Sequence, residues 1–156
     1  MTGQAEGSTL MQSTHPGGRP AIVDVHADPD GADGVSFWHE WRWQDGPSQG
    51  TGTIKVPKRA ESDPGTPIHF HLRDNTSRGF NFADDPIWVR RGGCPDPDPP
   101  CSDPEIPDSK IQRAPNLLKV FDENNEECRL HYRLWFTDKN GNSDSYDPDI
   151  TNGGKG

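Results

Sequence analysis

"PIHFHLRD" (residues 67–74) alternates apolar and polar side chains with a period of two. In an extended chain Ile68, Phe70 and Leu72 share one face, and His69, His71 and Arg73 share the other. The pattern recurs on both sides of this stretch. In "VSFWHEWRW" (35–43), Phe37, His39, Trp41 and Trp43 lie opposite Trp38, Glu40 and Arg42. In "CRLHYRLWF" (128–136), Leu130, Tyr132, Leu134 and Phe136 lie opposite Arg129, His131, Arg133 and Trp135. Shorter runs of the same kind are "AIVDVHAD" (21–28), "TIKVP" (53–57), "RGFNF" (78–82), "PIWVR" (86–90) and "NLLKVFDEN" (116–124), and "DSYDPDI" (144–150) reads as an edge strand. Between them lie "DPDGADG", "DGPSQGTG" and "TDKNGNS", where Asp, Asn, Pro and Gly supply turn chemistry. Nowhere do apolar residues recur at i, i+3, i+4 and i+7 for three turns. The expectation is an all-β fold: an antiparallel β-sandwich, immunoglobulin-like or jelly-roll-like, of about seven or eight short strands. It spans residues 20–150, after a disordered tail (1–19) and before a flexible C-terminus (151–156).

Composition narrows the function classes. Only 28% of the 156 residues are apolar, and 17 Gly and 16 Pro favour a loop-rich domain. A net charge of -9 argues against a nucleic-acid partner and against an anionic membrane surface. No apolar run approaches the roughly 20 residues that span a bilayer. The opening "MTGQAEGSTLMQSTHPGGRP" has neither a basic nor an apolar leader region, so the expected compartment is the cytoplasm, with reduced thiols. Cys94 and Cys101 flank "PDPDPP" and could pair in a disulfide, whereas Cys128 opens an apolar strand and reads as a buried thiol.

From about Pro67 to Gly154, "HFHLRD", "DPIWV", "CPDPDPPCSDPE", "FTDKNGN" and "YDPDITNGG" follow one another in an order that resembles a loose group of small, uncharacterised bacterial β-sandwich proteins. The resemblance implies the sandwich fold and brings no activity with it.

Three sets of side chains are candidates for chemistry. His69 and His71 share a face and could hold zinc or another divalent metal if His131 supplied a third ligand. The plainer reading makes them two polar residues on the wet side of a sheet. Calcium is the second possibility, from Asp28, Asp30 and Asp33, from Asp138, Asn140 and Asn142, or from Asp96, Asp98, Asp103 and Glu105. Asp and Asn are also ordinary turn residues, and Ser143 stands where a helical calcium loop needs Gly. Third are the tryptophans. Trp41 and Trp43 belong with the core, while Trp38 and Trp135, on polar faces, could stack on a ligand such as a sugar ring. No nucleophile elbow, phosphate-binding Gly loop or H-E-x-x-H helix occurs, and Cys128 and His131 face opposite sides of their strand. The sequence therefore favours a non-catalytic, acidic binding or accessory module without a cofactor, engaging a protein or small ligand. A metal-binding protein is the alternative, and a carbohydrate-binding module the third reading.

Overall fold

The computed structural model describes residues 19–91 and 102–156, and in it the two-residue alternation sorts into two facing sheets. The strands are β1 (Ala21–Asp30), β2 (Gly34–Trp43), β3 (Ser48–Gly50), β4 (Ile54–Val56), β5 (Thr66–Asp74), β6 (Asn81–Arg91), β7 (Gln112–Ala114), β8 (Leu117–Asp122), β9 (Glu127–Thr137), β10 (Ser143–Tyr146) and β11 (Asp149–Gly153). One sheet has the order β3-β2-β1-β5-β8-β7. The other is built on β9, which pairs with β6 along one edge and with β10 and then β11 along the other, β4 lying beyond β11.

Inward side chains close the space between the sheets. Phe37 of β2 stacks on Phe136 of β9 at 4.9 Å, and Phe70 of β5 meets Tyr132 of β9 at 5.4 Å. Phe70, Phe82, Phe136 and the aliphatic residues of β1, β5, β8 and β9 form one buried cluster. The all-β sandwich expected from the alternation is thus what the chain forms.

Several details differ from the sequence reading. Among the described residues eleven strands form rather than seven or eight, because β3 and β7 are three-residue edge pieces and Asp147-Pro148 divides "DSYDPDI" into β10 and β11. "RGFNF" and "PIWVR" contribute to one strand, β6, whose register shifts opposite Leu134 and Phe136. Two pairs are parallel, β1 with β5 and β11 with β4. The cause is topological: after β3 the chain crosses to the other sheet as β4, then returns as β5 on the far side of β1. Flanked on both edges, β1 buries even its outward Ile22 and Asp24.

The C-terminal residues do not fray at 150. β11 continues to Gly153 between β9 and β4, and Asn152 is buried. A Cβ on Gly153 would lie 2.1 Å from the Lys58 backbone nitrogen, so only glycine lets the two segments approach. Polar clips also join the sheets. His39 of β2 meets Gly52 O through Nε2 (2.7 Å) and the Tyr146 hydroxyl through Nδ1 (2.6 Å). Because a carbonyl only accepts, Nε2 carries the proton and Nδ1 of the neutral ring accepts from Tyr146. Asn152 Nδ2 donates to Asp122 Oδ1 (2.8 Å) and to Glu105 Oε2 (3.2 Å). Among the described residues no helix is long and apolar enough to cross a membrane.

Candidate functional site at one end of the sandwich

Because β1 and β5 run in parallel and β9 of the facing sheet ends on the same side, three connections gather at one end. They are the β1–β2 turn, the β5–β6 loop and the β9–β10 hairpin. Asn75 N–H donates to Ala27 O (2.8 Å) and Lys139 N–H to Arg78 O (2.9 Å), which fixes the loops to one another. Between them lies a cleft of about 420 Å³, lined among others by Asp33, Thr76, Ser77, Arg78, Asn140 and Asn142.

The floor of the cleft is braced from within. Asp138 Oδ1 accepts the backbone N–H groups of Asn140 (2.9 Å) and Asn142 (3.0 Å), a turn that lets Gly141 take its positive φ of 85°. Its Oδ2 accepts from Arg78 Nε (3.1 Å) and Nη2 (2.8 Å), and Arg78 Nη2 also donates to Asp144 (2.8 Å). These Arg78 bonds are the chief reason Asp138 is held at about 2. Asp74 accepts from Thr76 N–H, the Thr76 hydroxyl and Phe80 N–H, which shapes the β5–β6 loop. In contrast, the side chains of Asp33, Ser77 and Asn140 make no hydrogen bond to the described residues. The cleft therefore combines a fixed frame with uncommitted donors and acceptors.

Trp38 stands beside this end. It is the exposed large hydrophobic side chain among the described residues, at 38%. The register places it opposite His26, and the two rings stack at 4.1 Å with planes 11° apart. Trp38 Nε1–H donates to Asp28 Oδ2 (2.7 Å), and Asn75 of the cleft loop donates to Asp28 Oδ1 (2.7 Å). Hydrogen bonds from Asn75 and then Trp38 lower the Asp28 carboxyl. His26 in turn pairs with Glu40 at 2.8 Å. One face of the indole is covered and its orientation fixed, and the rest meets solvent.

The histidine candidates do not come together. His69 and His71 lie on the outer face of the six-stranded sheet, His131 on the outer face of the other. His131 Nδ1 instead meets Asp149 at 2.7 Å. His69 stands opposite Lys119, and His71 opposite Asp24, whose oxygens are taken by Arg42 and Arg73. Burial, followed by Lys119 for His69 and Arg73 for His71, lowers both imidazoles. Among the described residues no three His, Cys, Asp or Glu side chains converge in a metal-binding group. Of the calcium candidates, Asp33 from one set and Asp138, Asn140 and Asn142 from the other line the cleft, yet Asp138 and Asp28 are occupied by internal hydrogen bonds. Cys94 and Cys101, with Asp96 and Asp98, lie outside the described residues. Glu105 is buried under the backbone of Asn125 and Glu126, and Asp103 pairs with Arg91. Trp135 is half-buried, 4.8 Å from Trp88 across the strands. Cys128 packs against the core, where burial raises its thiol.

Sequence reasoning missed Thr76, Ser77 and Arg78 as cleft residues, and it offered Asn140 only as a calcium candidate. Their signal was the "DNTSRGF" loop, dense in side chains that bond their own backbone, but nothing local said which other turns it would meet. No protein-family model matches the chain, and no curated protein matches it.

Proposed function

We propose that the protein is a non-catalytic binding module that holds a sugar ring at the loop end of the sandwich. The observation that carries this reading is the fixed Trp38 indole, joined through Asp28 and Asn75 to a polar cleft of about 420 Å³. An aromatic face that is already oriented loses little rotamer freedom on binding, and aromatic rings pack well against the C–H faces of sugars. Asp33, Ser77 and Asn140 offer an acceptor, a hydroxyl and an amide for ring hydroxyls, while Arg78 is bound to Asp138 and Asp144 and keeps the frame in place.

Calorimetric titration of neutral cello-, xylo- and chito-oligosaccharides tests the reading. At least one should bind, and Trp38→Ala should weaken it by about tenfold or more, as for a central aromatic anchor, with an unchanged far-ultraviolet spectrum. Absence of binding by the whole panel, or binding indifferent to Trp38→Ala, would overturn it.

A further inference from the structure

Two acids and an amide lie buried together where β8 runs out, with no base bonded to the acids. Asp122 is 0% exposed, Glu105, in the segment before β7, 2%, and Asn152 of β11 3%. Asn152 Nδ2 bridges the acids, donating to Asp122 Oδ1 (2.8 Å) and to Glu105 Oε2 (3.2 Å). Among the described residues no lysine or arginine bonds to either carboxyl group. The Arg59 guanidinium is engaged by backbone carbonyls and by Asn125. Two ionised carboxylates repel strongly in a place so poorly screened, so one of them takes up a proton.

Hydrogen bonds decide which. Glu105 accepts from Asn125 N–H, Glu126 N–H and Asn152, and both of its oxygens have a donor, which favours the ionised form. Asp122 Oδ1 likewise accepts from Asn124 N–H (3.0 Å) and Asn152, but Asp122 Oδ2 is buried with no donor among the described residues. Asn152 Oδ1 is buried in the same condition. Two empty acceptors, on side chains already joined through their other polar atoms, lack one hydrogen. A metal ion suits the place less well, because among the described residues no three His, Cys, Asp or Glu side chains converge and the Glu105 oxygens are engaged by N–H groups.

We infer that Asp122 carries a proton on Oδ2 and donates it to Asn152 Oδ1, so that a single hydrogen latches the end of β8 to the C-terminal strand β11. The latch joins the two sheets near the start of β9, away from the loop-end cleft, and stands without the sugar reading. No neighbouring group replaces the proton. Glu105 and Glu123 oppose ionisation of Asp122, in keeping with its rise to about 7. The Cys128 thiol of β9 is raised by burial and stays neutral, and the register sets Thr66 of β5 beside Asp122 and Val56 of β4 beside Asn152, both uncharged. When the latch opens, Asp122 meets water and ionises at its ordinary value. The closed form therefore loses about tenfold against the open one for each pH unit between roughly 4 and 7. The latch is firmest in acid.

Carbon-13 resonances of the full chain test the proton itself: the Asp122 side-chain carboxyl should titrate near 7. Hydrogen exchange tests the latch. The amides of Asn124, Asn125 and Glu126 bond to Asp122 and Glu105, and their protection, corrected for the intrinsic rate, should fall about tenfold per pH unit from roughly pH 5 to 7. The Asn140 and Asn142 amides, held by Asp138 beyond the other end of β9, should keep theirs. Asp122→Asn places an amide donor where the protonated oxygen stood, and it should remove the slope while leaving the three amides protected. A wild-type carboxyl titrating at its ordinary value of about 4, or a slope that persists in Asp122→Asn, would overturn the inference.

Discussion

Asp122 occupies an inward position on β8, following Leu118 and Val120, where the alternation calls for an apolar side chain. Burial pushes it up to about 7, and Glu105 and Glu123 add to the rise against hydrogen bonds from Asn152 and Asn124 N–H. A carboxyl raised in the folded state binds a proton that the unfolded chain releases from about pH 4 upward, so its contribution to stability is complete at low pH and lost as pH climbs to about 7. Denaturant titrations at pH 4.5 and 7.5 should show this loss, with an upper limit on the order of 4 kcal/mol. Asp122→Asn should flatten the difference; an equal pH dependence in the variant would assign it elsewhere. The inward placement of Asp122 was legible from spacing, as was that of His39 beside Phe37 and Trp41. Their partners, Asn152 and Tyr146, were not, because each lies on the opposite sheet at a sequence distance that no local pattern encodes.

At the scale of elements, the faces of β2, β5 and β9 could be read directly, since one face of each buries large side chains. Neighbours could not. The parallel pairing of β5 with β1 depends on a crossover between sheets, and β11 reads as an edge only until β4 is placed beside it. The loops that permit these crossings are tied by Arg59, which is buried and donates to the carbonyls of Ala60, Glu61, Asp63, Glu123 and Asn124 and to the Asn125 side chain. Arg59→Ala strands these acceptors, and a loss of about 2–4 kcal/mol in urea unfolding is expected. Arg59→Lys should recover part of it, as a single ammonium cannot serve acceptors spread around a planar fork. A loss below 0.5 kcal/mol, the range of ordinary surface changes, would show that water replaces the guanidinium freely.

Across the whole molecule, acids and bases are interleaved: Asp149 answers His131 and Asp147 answers Arg133 on one sheet, and Asp24 answers Arg42 and Arg73 on the other. A net charge averages over these pairs, which is why composition spoke about the chain and said nothing of its faces. The loop-end cleft draws on residues from Pro29 to Asn142, so no single stretch of sequence contained it, although Trp38 showed as an aromatic on a polar face. The most direct measurement is an amide proton–nitrogen correlation titration with the neutral oligosaccharides. Shift changes are predicted at residues 29–34, at 75–78, at 138–142 and at the Trp38 indole N–H, with the outward amides of β9 left in place. Changes confined to the five-stranded sheet, or none with any oligosaccharide, would contradict a loop-end sugar site.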